Sequence, residues 1–199
     1  MIRILLASLA FLPTAWADTP TAFATSYAQE AQGDYAAALS AIATVRGPEV
    51  DDAVLNLRRG WLLYLDGQYD ASLRAYQIAV DAAPRSVEAH LGLTLPLMAQ
   101  RRWQDVIAAC DAVLELSPGE TTARSRRAWA LYNLGRFAES EEDYRALVIA
   151  WPTNVDLRAG LGWAQCRQGD TVRARLSFAQ VLAISPDHAS ASEGLTACR

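Results

Sequence analysis

Residues 65–76 read LDGQYDASLRAY, and residues 133–144, sixty-eight positions further on, read NLGRFAESEEDY. In each stretch a Gly is followed two residues later by a ring, then by Ser three residues on, then by Tyr four residues after that. Each spacing has a physical reason. Gly accepts the left-handed backbone that ends one helix and turns the chain into the next. The Ser is small enough to let two helices approach, and a ring four residues along lies on the same helix face and fills the space beside it. The stretch therefore predicts the joint of a helix-turn-helix unit.

Stepping outward by 34 residues extends the pattern along the chain. Gly33, Gly67, Gly135 and Gly169 share the first column, with Arg101 in the remaining slot. Tyr35, Tyr69, Trp103, Phe137 and Thr171 follow; then the small column Ala38, Ser72, Val106, Ser140 and Ala174; then the bulky column Ile42, Tyr76, Cys110, Tyr144 and Phe178. Pro84, Pro118, Pro152 and Pro186 stop each second helix on the same period. Columns in register at a fixed period are the signature of a stacked repeat array.

A 34-residue helix-turn-helix carrying these small, aromatic and Pro markers resembles the tetratricopeptide repeat. The resemblance implies an all-α, right-handed α-solenoid of five helix-turn-helix repeats (19–52, 53–86, 87–120, 121–154, 155–188) and a short C-terminal capping helix, 189–199. That half-repeat would cover the last open apolar face, as solenoids require. Departures are local. The family's Leu-Gly pair stands only at Leu161-Gly162, with Arg59-Gly60 half matching; Pro48 lies two residues early in the first repeat; and Arg101 replaces Gly.

In the family the first helices line a concave groove. With about 100° per residue, the columns headed by Asn56, Gly60 and Leu63 cluster within roughly 60° and predict core, while those headed by Leu57, Trp61, Tyr64 and Leu65 point about 140° away. One outward column is Tyr27, Trp61, Leu95, Trp129 and Trp163; its neighbour includes Tyr64, Met98, Tyr132 and Cys166. Rings outside the apparent core suit a binding surface, because each brings area and a polar handle; packing between adjacent first helices is the alternative. Repeats two and four share Arg-Arg-x-Trp-x-x-Tyr at 58–64 and 126–132. Arg58 and Arg126 are expected at the groove margin, to stack on rings or grip a carboxylate, whereas Arg59 and Arg127 point toward the core and an acid there. Leu57, Leu91, Leu95 and Met98 complete the expected lining, and Pro96 in mid-helix is expected to kink it. The family's carboxylate clamp for chaperone tails is absent, because its Lys and Asn slots hold Phe23, Tyr27, Leu57 and Trp61. Glu139, Glu141, Glu142 and Asp143 read as a solvated outer face.

Composition bounds the function. Apolar residues make up 52% of the 199 and charged residues 20%, with a net charge of −4. This supports a core and offers no field for nucleic acid. Every basic residue is Arg, a coding bias or a surface that uses the planar head group. Met1-Ile2-Arg3, the apolar run Ile4 to Leu12, Pro13 and Ala15-Trp16-Ala17 read as a cleavable signal peptide, residues 1–17, leaving a mature domain 18–199 with no transmembrane span. With two His in separate repeats, no Cys-x-x-Cys and no Gly-rich phosphate loop, neither an enzyme, a metal nor a cofactor is expected. Cys110 falls in a core column. Cys166 and Cys198 lie on helices that should pack side by side, and whether they pair depends on side-chain direction. The sequence thus points to a periplasmic or secreted scaffold of the bacterial envelope that holds a peptide or protein partner; for an exported chain, the family resemblance implies a role in outer-membrane assembly or in secretion and polysaccharide export. The alternative is a module stacking acidic sugars on the groove rings with Arg58 and Arg126 as carboxylate partners.

Overall fold

The computed structural model describes residues 19–198 other than 44 and 46–50; the signal segment 1–17 and Pro48 lie outside the described residues. The described residues form helices and no strand. Two compact units divide the chain, 1–51 and 52–199. In the first, α1 (Thr19–Ala31) pairs with α2 (Tyr35–Ala43), burying Ala22, Ser26, Ala38 and Ile42.

The second unit stacks four helix pairs and a lone helix: α3 (Asp52–Leu65) with α4 (Tyr69–Ala82), α5 (Val87–Ala99) with α6 (Trp103–Leu116), α7 (Thr121–Asn133) with α8 (Phe137–Ala150), α9 (Val155–Arg167) with α10 (Thr171–Ile184), and α11 (Ala189–Ala197). Each first helix packs on the next first helix (α3 on α5, α5 on α7, α7 on α9, α9 on α11), and successive second helices have no comparable contact. The first helices thus form an inner layer and the second helices an outer one. This is the all-α repeat solenoid with a terminal capping helix that the 34-residue period predicts.

Helices α5, α7, α9 and α11 are each capped by the residue two positions beyond the Pro column. Side chains of Ser86, Glu120, Asn154 and His188 accept from the backbone N–H of Ala89, Thr122, Leu157 and Ala191, satisfying donors that a helix start leaves open. The turns into the second helices put Gly67, Gly135 and Gly169 at φ of +75°, +79° and +82°, and Arg101 at +57°. Arg101 is therefore an L-residue held where a Cβ is crowded. The small column ties the helices of a pair: Ser72 Oγ donates to Gly60 O at 2.7 Å, and Ser140 Oγ to Ala128 O at 2.8 Å.

The bulky column sets the inner spacing by wedging rings between successive first helices. A Cβ on Gly60 or Gly92 would lie 2.8 or 2.1 Å from the Tyr76 ring, so Tyr76 sits between α3 and α5. Tyr144 presses on Gly160, and Phe178 lies between Gly162 and Gly194, where a Cβ would be at 2.7 and 2.3 Å. The third repeat inverts the arrangement. Its wedge residue is the small, fully buried Cys110, and the facing position, equivalent to Gly92, Gly160 and Gly194, holds Arg126. Small meets large at each step, whichever helix supplies the bulk.

The outer acids depart from expectation. Glu139 and Glu142 are exposed, but Glu141 is 6% and Asp143 3% exposed. Asp143 takes a two-pronged bond from Arg127, Nε to Oδ2 at 2.8 Å and Nη2 to Oδ1 at 2.7 Å; this is the acid foreseen for Arg127. Glu141 accepts from Gln165, Gln168, Arg173 and Arg145, tying α8 to α9 and α10. Burial alone would raise its pKa, but bonds from Gln168 and Gln165 and the nearby Arg charges outweigh that and bring it below the usual carboxylate range. A continuous acidic face was misread because helical arithmetic locates a stripe without showing whether a neighbouring helix lies against it.

Candidate functional site

The outward columns of the inner layer carry two rows of rings. In repeat two, Trp61 lies 6.0 Å from Tyr64, and Tyr64 lies 5.9 Å from Tyr69. In repeat four, Trp129 stacks on Tyr132 at 5.9 Å with planes 6° apart, and Tyr132 meets Phe137 edge-on at 5.4 Å. Arg167 closes this second row, its guanidinium 5.1 Å above the Phe137 ring. Trp61 is 36% exposed and Trp129 45%. Offset and edge contacts of this kind hold rings in place at about 0.5–1.5 kcal/mol each, so the exposed faces are presented in a fixed orientation.

The other expected lining residues are placed unevenly. Leu57 and Leu95 are half-buried, while Leu91 and Met98 pack against the core formed by α5, α6 and α7. Tyr27 is 57% exposed on α1, in the first unit. Trp163 is half-buried: it meets Phe178 edge-on at 5.4 Å, and its Nε1 donates to Ser190 Oγ at 2.9 Å.

The two arginines expected at the margin turn inward. Arg58 is 7% exposed. Arg126 Nη1 donates to Leu91 O at 2.7 Å and Thr94 Oγ1 at 2.6 Å, and burial lowers its pKa. Its reach follows from the small Cys110 beside it, which leaves a ring-sized space between α5 and α7. The same contact falls on the segment before Pro96, where α5 remains one helix from Val87 to Ala99.

A cavity of about 350 Å³ opens at the end of the second aromatic row, lined by Trp129, Tyr132, Tyr144, Gly160, Trp163, Ser190 and Glu193. Rings from α7, α8 and α9 form most of its wall, and α11 adds Ser190 and Glu193, the one charged lining group among the described residues. Cys166 and Cys198 are joined in a disulfide with Cα atoms 5.7 Å apart, fastening the end of α11 to α9. Of this lining, Trp129, Tyr132 and Trp163 were foreseen. Gly160, Ser190 and Glu193 were missed, although Glu193 is the Leu57 column carried one repeat further.

Tetratricopeptide-repeat models match residues 57–121 and 125–189, in register with the helix pairs. The chain belongs to the tetratricopeptide-repeat family. Among curated proteins it is similar to Protein CTR9 homolog of Arabidopsis thaliana (28% identity over 134 residues, 67% of this chain and 9% of that protein). It is also similar to Sperm-associated antigen 1 of Rattus norvegicus (28% over 91 residues, 46% and 10%). The chain spans about a tenth of the length of these two relatives. Similar solved structures include MamA protein (TM-score 0.75, 17% identity, 84% of this chain and 92% of that one). Another is a tetratricopeptide repeat protein from Parabacteroides merdae (0.80, 15%, 89% and 70%). A third is YrrB, described as a TPR protein with an unusual peptide-binding site (0.74, 16%, 88% and 90%). At these identities the structural likeness establishes the fold.

Among the described residues, no group of three or more His, Cys, Asp or Glu is placed to hold a metal ion, and no helix is long and apolar enough to cross a membrane. Cys110 is fully buried, and burial pushes its thiol up to about 12, far from the reactive thiolate. A tetratricopeptide-repeat solenoid is a scaffold, and the exposed ring clusters on its inner layer are consistent with a peptide-binding groove.

Proposed function

We propose that this chain is an envelope scaffold that holds an extended segment of a protein partner along the inner faces of its first helices. The observation that carries the reading is the exposure of Trp61 and Trp129 on ring rows fixed from behind. An extended peptide places side chains into successive ring-lined stations, and its backbone meets the polar tips of Tyr64 and Tyr132. The similarity to YrrB supports a peptide ligand. Export through the 1–17 segment fits the Cys166–Cys198 bridge, since such bonds persist in oxidising compartments. The family resemblance and the export signal together suit a role in outer-membrane assembly or in secretion and polysaccharide export. The acidic-sugar alternative loses its cationic half, because Arg126 is engaged within the stack and Arg58 is buried.

The test is photo-crosslinking in the producing cell, with the probe placed at position 64 or 132 and, as control, at the exposed outer residue Glu142. Protein adducts at 64 and 132 alone are expected, and a pattern equal at all three positions would refute the groove. Intact mass of the exported chain should begin at Asp18; a product retaining Met1 would refute the cleaved signal.

A further inference from the structure

The second aromatic row is asymmetric, and its asymmetry points to a ligand. One end is occupied: Arg167 lies over Phe137, Phe137 meets Tyr132, and Tyr132 stacks on Trp129. At the other end Trp129, nearly half exposed, opens on the cavity that also holds Glu193. Ring faces carry negative potential and attract cations. Among the described residues, Glu193 is the only charged group lining that cavity, and no cation lines it.

Building on the peptide-groove reading, we propose that this cavity is a binding site for a basic side chain, Arg or Lys, of the partner peptide. The cationic head lies against Trp129, with its charge met by Glu193, and the aliphatic stem runs along Trp163 and Tyr144. The chemistry excludes the other occupants. An acidic side chain would face both ring π-clouds and a carboxylate. A purely apolar one would fill the ring-lined space and leave the exposed carboxylate of Glu193 without a charge partner. A basic side chain satisfies both halves, because it presents a hydrophobic stem and a cationic tip. The row itself shows the compatibility, since its far end already carries a guanidinium.

The site also explains what the capping helix adds beyond closure. Glu193 and Ser190 come from α11, and Ser190 accepts the indole N–H of Trp163, holding that ring in the cavity wall. The bridge from Cys166 to Cys198 keeps α11 against α9. The position that brings the charge held the uncharged Leu57, Leu91, Ser125 and Ala159 in earlier repeats, so this terminal station differs in kind from the others along the groove.

The experiment compares two fluorescein-labelled decapeptides, alike in four Leu and five Gly and differing at one position, Arg in one and citrulline, its uncharged near-isostere, in the other. Binding to the full mature chain is read by anisotropy. The Arg peptide should bind about tenfold more tightly than the citrulline peptide at low salt, and the gap should shrink as salt rises. Glu193→Gln should weaken the Arg peptide several-fold and the citrulline peptide much less, narrowing the gap between them, with the circular dichroism of the native chain. Trp129→Ala should abolish the preference. Equal affinity for the two peptides would overturn the cation site while leaving the groove standing. Binding of neither would overturn both.

Discussion

Arg101 is the clearest single-residue anomaly. It occupies the turn at φ +57° where every equivalent described position has Gly, and an L-residue there costs about 1–2 kcal/mol. Arg101→Gly should therefore stabilise the protein by about 0.5–1 kcal/mol, the gain being reduced by Gly's greater freedom when unfolded. Urea melts at constant m-value would show it, and a lower midpoint would mean that Arg101 makes compensating contacts. The rings separate into two classes at the same scale. Trp61 and Trp129 are 36% and 45% exposed; Tyr76 and Tyr144 are 3% and 7% exposed. Tyr76→Ala and Tyr144→Ala should each cost about 3–5 kcal/mol of stability. Trp61→Ala and Trp129→Ala should stay within about 1 kcal/mol yet weaken partner capture by about 2 kcal/mol or more. Trp variants that melt with the Tyr variants would make the inner rings structural.

At the scale of the helix, the spacing of the inner layer is set by pairs of positions. Tyr76 with Gly92, Cys110 with Arg126, Tyr144 with Gly160 and Phe178 with Gly194 share one amount of space in opposite ways. Cys110→Tyr alone should overpack the α5–α7 joint and cost about 1–3 kcal/mol. Arg126→Gly alone empties it and removes the guanidinium donor to Leu91 O and Thr94 Oγ1, which keep their bond to each other, costing about 2–4 kcal/mol. Combined in a Thr94→Ala background, which reproduces the Ala128 near Tyr144, the two should couple favourably by at least about 1 kcal/mol. Additive losses in thermal melts of the cycle would refute size exchange. Glu141 joins three helices, and its folded pKa lies below the usual value. Its stabilisation is present above the unfolded Glu value of about 4.3 and is lost as pH falls through the folded value. Glu141→Gln should flatten the melting temperature across that acid window; an unchanged slope would assign the acid dependence to other groups.

For the molecule as a whole, a repeat array depends on its ends, because each repeat is stabilised mainly by its neighbours. Closing the 32-residue separation between Cys166 and Cys198 stabilises by about 3–4 kcal/mol in the chain-entropy description. Reduction should lower the melting temperature and release amide protection first in α11, then in α10 and α9. Peptide mapping without reduction should find one bridge, with Cys110 alkylated only after unfolding. Protection in α11 unchanged on reduction would show that the cap is held by packing alone.

The 34-residue period, the Gly turns between paired helices, the core columns and the inward pairing of Arg127 were all legible in the chain, because they depend on residue type and local spacing. A Gly, a Pro or a small residue acts on its own backbone and on helix neighbours three and four residues away. The fates of Arg58, Arg126, Glu141 and Asp143 were not legible. Each lies at the border between a helix's inner and outer faces, where its own helix permits either direction. Cys110 in the preceding repeat opened the space that drew Arg126 in, and the helices beside α8 turned Glu141 and Asp143 from surface to interior. The cavity at Trp129 likewise exists only where four helices meet: Gly160 clears it, Tyr144 fills its wall and α11 brings Glu193. Local chemistry repeats with the sequence period, whereas a site depends on which unequal side chains meet when the repeats are stacked, and that was decided by the tertiary structure.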